Sequence, residues 1–193
     1  MFSKFFTKLI RARQSERYLY LKKFKIGTPV INPRHHPKEI ILQEALLFIG
    51  EGRIRGDYLE FGVYRGFTSI AAYHIAQTLR FQMRFYAFDS FQGLPEPHGI
   101  DRGDYFSKGA YSCSLEDYTQ NLRKAGVDLN KFTIIPGWFE DTLSVETKEK
   151  LALKSAALVY IDCDLYASTV PVLNFVADYL VDGSIIIFDD WYS

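Results

Sequence analysis

LEFGVYRGFTS, residues 59–69, holds the strongest structural signal in this 193-residue chain. Its first residues predict the end of a buried strand, and apolar residues at helical spacing follow it directly. Gly62 and Gly66 lie between the two segments, and Glu60 precedes them. Glycines let a ligand approach the backbone closely, and a helix start offers N–H groups without helical partners. The segment therefore predicts a strand, a tight turn and a helix, with room for a ligand at the turn.

Strands and helices are predicted in alternation along the rest of the chain. The predicted strands are YLEFGV (58–63), RFYAFDSF (84–91), KFTIIPG (131–137), AALVYIDCD (156–164) and SIIIFDDW (184–191). The predicted helices cover 38–50, 69–80, 114–126, 147–154 and 168–183, and Gly183 is read as the stop of the last one. This alternation predicts an α/β fold with a doubly wound, mostly parallel sheet.

Charge divides the chain into two parts. Residues 1–38 hold ten Lys/Arg and one acid, Glu16, whereas the remainder holds thirteen Lys/Arg and twenty-two Asp/Glu. We therefore predict a basic N-terminal helical arm over 1–38 and a ligand-binding domain over 39–193. The acidic domain argues against a nucleic-acid partner, because such proteins usually present a basic face at the site.

The start of the arm predicts an amphipathic helix, because lysines and Arg11 are interspersed among apolar residues at helical spacing. These apolar residues are Phe2, Phe5, Phe6, Leu9 and Ile10. The helix is expected to pack on the domain or on a second subunit of a homo-oligomer, and contact with a membrane surface is the alternative. No apolar run is long enough for a transmembrane segment. Two cysteines without metal-ligand spacing, Cys113 and Cys163, suggest a cytoplasmic location.

Acidic residues recur where the predicted strands end, which is the edge at which open parallel sheets bind ligands. Asp89 ends the second strand and is placed to accept hydrogen bonds from ribose hydroxyls. Together with the glycine turn it predicts a site for a nucleoside-type ligand. The alternative is that Gly62 and Gly66 only form a tight turn. Their spacing is not the GxGxxG of dinucleotide folds.

A second group of acids follows the fourth and fifth strands. Asp162 and Asp164 lie two residues apart, so in an extended segment they face the same side. Asp189 and Asp190 end the next strand. Converging carboxylates suit an oxygen-coordinated ion such as Mg²⁺. The alternative is that Asp162 or Asp164 caps the next helix while Asp189 and Asp190 are solvated.

The motifs EFGVYRGFTS, FDSFQGLP, GWFEDTL, IDCDLYASTVPVL and IIIFDDW together resemble the macrocin O-methyltransferase family. The resemblance runs from about residue 57 to residue 191. It implies the Rossmann-like class I methyltransferase fold and an S-adenosylmethionine-dependent, Mg²⁺-dependent O-methyltransferase. The acceptor would be a hydroxyl of a sugar or of another polyhydroxylated small molecule. Relative to that family the last strands are expected to be missing.

The resemblance also implies a role for each site residue. The methionine part of the cofactor would contact Glu60, Gly62, Tyr64 and Gly66, and its carboxylate would bind Thr68 and Ser69. The adenosine would contact Asp89, Ser90, Phe91, Trp138, Phe139 and Asp141. The Mg²⁺ ligands would be Asp162, Asp189 and Asp190.

The proton of the acceptor hydroxyl needs a base, and Asp162 or Asp164 could accept it. His98 is a weaker candidate in the long loop 93–113, which we interpret as a lid over cofactor and acceptor or as a plain surface excursion. Two alternatives to an active methyltransferase stand. One is a degenerate or truncated methyltransferase-fold protein that acts as a non-catalytic interaction module. The other is a nicotinamide-dependent oxidoreductase, which would not need the acids of the fourth and fifth strands.

Overall fold

The computed structural model describes residues 37–103 and 105–190. The strands are β1 (Asp57–Phe61), β2 (Phe85–Asp89), β3 (Phe132–Pro136), β4 (Ala156–Ile161) and β5 (Leu180–Phe188). The helices are α1 (Pro37–Glu51), α2 (Phe67–Thr78), α3 (Leu115–Lys124), α4 (Phe139–Thr142), α5 (Val145–Lys150) and α6 (Tyr166–Val176). Except for its last two residues, the predicted basic arm lies outside the described residues. Within the described ranges, no helix combines the length and apolar character that a membrane crossing requires.

The five strands form one parallel sheet in the order β3-β2-β1-β4-β5. This confirms the predicted doubly wound α/β fold. Along the chain, β2 pairs with β1 and β3 pairs with β2. The next strand, β4, then pairs with β1 on its other side. The change of direction between β1 and β4 opens a crevice at the carboxyl ends of the strands, where such sheets bind ligands.

Side chains of the central strands alternate between two hydrophobic cores, one on each face of the sheet. In β1, Tyr58 packs in one core, whereas Leu59 and Phe61 pack in the other. In β2, Phe85 joins the core of Tyr58 and Phe88 stacks on Phe61, with ring centroids 4.6 Å apart. Since successive strand residues face opposite sides, Glu60 faces the same side as Tyr58.

The glycine turn after β1 is shaped by contacts within the chain. Gly62 has φ 82°, and a Cβ added there would lie 1.8 Å from the carbonyl oxygen of Asp162. Gly66 has φ 86°, and its Cβ would lie 2.8 Å from Leu122 and 2.9 Å from Tyr118. Packing therefore requires glycine at both positions. The alternative interpretation of the sequence, in which Gly62 and Gly66 form a tight turn, needs the same packing.

The prediction that Gly183 ends the last helix is wrong. Helix α6 ends at Val176, a 3₁₀ turn follows over Ala177–Tyr179, and β5 has begun by Leu180. Gly183 lies inside β5 with φ 89°, next to the shift in register between β4 and β5. A glycine with positive φ is typical of helix ends and also of one type of strand bulge, so the sequence signal was ambiguous.

We expect Gly62→Ala to lower the free energy of unfolding far more than Gly126→Ala. Both glycines have positive φ, 82° and 75°, but no atom lies within 4 Å of a Cβ added at Gly126. Gly126→Ala should cost about 1 kcal/mol for the left-handed backbone alone. Gly62→Ala should cost at least about 2 kcal/mol more, because β1 must move away from β4. Urea denaturation of both variants measures this, and equal losses would contradict the packing role of Gly62.

Candidate functional site

A cavity of about 330 Å³ opens at the crevice between the ends of β1 and β4. Most of the residues predicted for the site line it: Tyr64, Asp89, Ser90, Trp138, Phe139, Asp162, Asp164, Asp189 and Asp190. The predicted residues that do not line it are Glu60, Gly62, Gly66, Thr68, Ser69, Phe91 and Asp141. The structure thus brings the ends of all five strands to one cavity, with the predicted nucleoside side and the predicted metal side facing each other.

Asp89 organises the nucleoside side of the cavity. Its Oδ2 accepts hydrogen bonds from the backbone N–H groups of Val63 at 2.7 Å and Tyr64 at 3.3 Å, and its Oδ1 accepts one from Phe91 at 2.7 Å. The carboxylate at the end of β2 therefore fixes the turn that follows β1. An ionised carboxylate has about four acceptor positions, so Asp89 retains capacity for a ligand hydroxyl.

Glu60, Thr68 and Ser69 form a buried network beneath the turn, apart from the cavity. Glu60 is fully buried and accepts hydrogen bonds from the hydroxyl groups of Thr68, Ser69 at 2.6 Å and Tyr58 at 3.1 Å. The Ser69 hydroxyl also lies 3.0 Å from that of Tyr118. The polar groups of these three residues are turned toward one another in this structure, and their contacts with a cofactor stay a prediction.

Burial raises the pKa of Glu60 to about 7, although the three hydroxyl donors oppose the shift. The network thus contains a carboxyl group that is close to half protonated at neutral pH. Sequence reasoning treated Glu60 as a ligand contact. The period-two alternation of β1 already indicated that its side chain follows Tyr58 into the core.

Three carboxylates meet on the opposite side of the cavity. Oxygen atoms of Asp162, Asp164 and Asp190 all lie within 4.8 Å of one another. This set contains two of the three predicted metal ligands and replaces Asp189 by Asp164. Burial, followed by the charges of Asp162 and Asp190, raises the pKa of Asp164 to about 6. Burial also raises the pKa of Asp162, and a nearby lysine opposes that shift.

Asp164 does not cap the helix that follows it. Asp101, in the 93–113 loop, accepts hydrogen bonds from the backbone N–H groups of Tyr166 at 2.7 Å and Ala167 at 2.9 Å, at the start of α6. Asp164 itself has φ 59°, an uncommon left-handed conformation for a residue other than glycine. The alternative interpretation of Asp164 as a capping residue is therefore wrong, and its carboxyl lines the cavity instead.

Asp189 is held by two neighbours. Its Oδ1 accepts a hydrogen bond from the Tyr160 hydroxyl, and its Oδ2 lies 2.7 Å from the Nζ of Lys38. The same Nζ lies 2.9 Å from Oδ2 of Asp162. Burial lowers the pKa of Lys38, but the two carboxylates outweigh burial and the net shift is upward. The ammonium group of Lys38, in α1, therefore links the carboxylates at the ends of β4 and β5.

The 93–113 loop contributes Gly93, Leu94, Pro95, Ala110 and Tyr111 to the cavity. Tyr111 meets Tyr64 edge to face, with ring centroids 6.0 Å apart. His98 is exposed and its Nδ1 lies 3.2 Å from the carbonyl oxygen of Glu96. His98 does not line the cavity in this structure, and its role as a base stays a prediction.

Sequence reasoning missed Lys38, Glu140 and Tyr111 as lining residues. One local feature of the sequence indicated that Lys38 has an acidic partner. A lysine in the first turn of a helix lies against the positive end of the helix dipole, so its presence there calls for an acidic partner elsewhere. Tyr111 lies in the 93–113 loop interpreted as a lid and Glu140 lies in the GWFEDTL motif, so their segments were predicted to lie at the site but the individual residues were not.

The sheet order is that of a Rossmann-like fold, and the cavity lies at the point where the order reverses. The crystal structure of CalS11, a calicheamicin methyltransferase, matches with a TM-score of 0.72 at 20% identity, over 94% of this chain and 79% of that one. The family model of macrocin-O-methyltransferase (TylF) matches residues 38–193. The chain therefore belongs to the macrocin O-methyltransferase family.

Two relatives show how far the similarity extends. The 8-demethyl-8-(2,3-dimethoxy-alpha-L-rhamnosyl)-tetracenomycin-C 4'-O-methyltransferase of Streptomyces olivaceus is 32% identical over 148 residues, which are 72% of this chain and 54% of that protein. The mycinamicin III 3''-O-methyltransferase of Micromonospora griseorubida is 30% identical over 190 residues, 93% of this chain and 70% of that protein. The chain thus spans little more than half the length of the first relative.

Titration of Glu60 should make the stability of the protein depend on pH. Its folded pKa of about 7 exceeds the ordinary value of 4.5, so between these values the folded state binds more protons than the unfolded state. The stabilisation is fully present below pH 4.5 and is lost as pH rises through 7. In urea denaturation, the stability of the wild type relative to Glu60→Gln should fall by about 3 kcal/mol across this window.

Glu149→Gln, at an exposed position of α5, is the control. Its stability relative to the wild type should change little over the same pH range. A constant difference between Glu60→Gln and the wild type would show that the Glu60 carboxyl keeps its ordinary pKa in the folded state.

Proposed function

We propose that the protein is an S-adenosylmethionine-dependent, Mg²⁺-assisted O-methyltransferase that acts on a hydroxyl of a sugar or another polyhydroxylated small molecule. One observation carries the proposal. A single cavity at the switch point of the sheet is lined on one side by Asp89 and Trp138 and on the other by the carboxylates of Asp162, Asp164 and Asp190. Membership of the macrocin O-methyltransferase family supports the reaction type.

The nucleoside side fits the adenosyl part of the donor. Asp89 would accept the ribose hydroxyls, and Ser90 and the aromatic Trp138 and Phe139 would border the base. Tyr64 has φ 44° in the turn, and its side chain lines the cavity beside Asp89. When bound, S-adenosylmethionine supplies an electrophilic methyl group on a sulfonium. Glu60, Thr68 and Ser69 would support the turn from beneath, next to the methionine part of the donor.

The acidic side fits a magnesium ion by the chemistry of its donors. Carboxylate oxygens are the protein ligands that Mg²⁺ prefers, and three of them converge here. Asp162, Asp189 and Asp190 would hold the ion, and Asp164 lies beside them. A bound Mg²⁺ would lower the pKa of an acceptor hydroxyl and orient it.

Asp164 is the best-placed residue to accept the proton from the acceptor hydroxyl. In the metal-free protein, burial and the charges of Asp162 and Asp190 raise the pKa of Asp164 to about 6, and its carboxyl lines the cavity. Its left-handed backbone and the capping of α6 by Asp101 hold the carboxyl at the cavity. The proton would move from the hydroxyl oxygen to a carboxylate oxygen as the oxygen–methyl bond forms.

The acceptor class is supported by the names of two relatives, a 4'-O-methyltransferase that acts on a rhamnosyl tetracenomycin and a mycinamicin III 3''-O-methyltransferase. A cytoplasmic location and a homo-oligomer assembled through the N-terminal arm remain part of the proposal. The competing function is a non-catalytic interaction module of the same fold. Cofactor binding and turnover distinguish the two.

Calorimetric titration with S-adenosylhomocysteine, with and without Mg²⁺, tests the proposal. We expect binding of this ligand but not of NAD⁺, and at least about tenfold weaker binding by Asp89→Ala, which loses the acceptor for the ribose hydroxyls. Asp182→Ala, at an exposed position of β5, is the control and should bind like the wild type. Circular dichroism confirms that each variant is folded. Absence of binding by the folded wild type would contradict S-adenosylmethionine as the methyl donor.

Asp164→Asn should lower the turnover number about 100-fold or more while leaving the affinity for S-adenosylhomocysteine within twofold of the wild type. The amide cannot accept the proton, whereas the donor side of the cavity is unchanged. Release of S-adenosylhomocysteine in a screen of rhamnosides and other glycosides gives the rates. Asp182→Asn is the control. Full turnover by Asp164→Asn would exclude Asp164 as the base.

A further inference from the structure

Lys38 places a positive charge inside the acidic side of the cavity. Its Nζ lies 2.9 Å from Oδ2 of Asp162 and 2.7 Å from Oδ2 of Asp189. Asp162 in turn shares the cluster with Asp164 and Asp190. One ammonium group therefore bridges two of the four carboxylates that line this part of the cavity.

The position of Lys38 in its own helix makes this contact unusual. Lys38 is the second residue of α1, where the helix dipole disfavours a cation. Its side chain is about one-third exposed, so the charge is also partly withdrawn from water. Both effects oppose a lysine at this point. The carboxylates at the ends of β4 and β5 are the groups that offset them.

We propose that Lys38 is a built-in counter-ion that competes with the divalent cation for the carboxylates of Asp162 and Asp189. This inference rests on the proposed function, because it takes the metal site as given. The ammonium neutralises part of the cluster when no metal is present. A divalent cation that enters the cluster has to share or take over the Asp162 carboxylate, so the Lys38 contacts lower its affinity.

The competition also links metal binding to α1. Helix α1 packs its buried residues Leu42, Leu46 and Ile49 in the core of the sheet, so the body of the helix is fixed. Only the first turn, which carries Lys38, has to move when the ammonium group gives up its contact with a carboxylate to the metal ion. Lys38 is thus a positioning residue: it acts on the reaction through the metal ligands.

Binding of Mn²⁺ to the metal-free full-length protein, followed by the electron paramagnetic resonance signal of free Mn²⁺, tests the competition without any turnover. We expect Lys38→Met to bind Mn²⁺ about tenfold more tightly than the wild type, because removal of the charge leaves Asp162 and Asp189 without their cationic partner. Lys38→Arg keeps the charge and should stay close to the wild type. Lys148→Met removes a lysine that pairs with Asp178, away from the cavity, and should also match the wild type.

Thermal unfolding of the same metal-free proteins gives a second readout. Lys38→Met should melt at a lower temperature than Lys38→Arg, and saturating Mn²⁺ should raise its melting temperature more than that of the wild type. Lys38→Gln, which is also neutral, replaces Lys38→Met if the latter does not fold.

Two results would overturn the inference, and they are distinguishable. If the wild type binds Mn²⁺ and the neutral variants bind it equally or more weakly, Lys38 does not compete and the metal site itself stands. If no folded variant binds Mn²⁺, the metal part of the proposed function fails and the competition fails with it.

Discussion

The close approach of the ends of β1 and β4 is the constraint on which the site depends. Without a side chain at Gly62, the turn after β1 lies against the carbonyl of Asp162. The same turn presents two backbone N–H groups to Asp89 at the end of β2. One glycine therefore brings together the strand end that carries Asp89 and the strand end that carries Asp162.

The cavity also depends on how the protein distributes negative charge. Buried or half-buried carboxyl groups occur both beneath the turn and at the cavity wall, and each has a different source of stabilisation. Glu60 is surrounded by hydroxyl donors, Asp89 accepts backbone N–H groups, and Asp162 pairs with Lys38. For Asp164, burial and the neighbouring carboxylates of Asp162 and Asp190 outweigh the charge of Lys38, so its pKa is raised to about 6.

Local sequence patterns predicted the strands and the acids at their ends. The residues that they missed are placed by contacts between distant parts of the chain. The apolar strands and the acids that follow them are properties of short segments, so the sheet and the carboxylates at its edge could be predicted. Gly183 was misread because a helix end and a bulge both use positive φ. Lys38 could not be placed, since its partner Asp162 lies 124 positions away in the chain.

The hydrogen bonds between Asp101 and the start of α6 divide the 93–113 loop into two parts. Because this residue fastens the loop at the start of α6, directly after the acids of β4, the segments on either side of it can change in length and composition independently. Those segments supply Pro95 and Tyr111 to the cavity. Under the proposed function, changes in either half of the loop therefore alter the acceptor side of the cavity while Asp101 keeps the start of α6 in place.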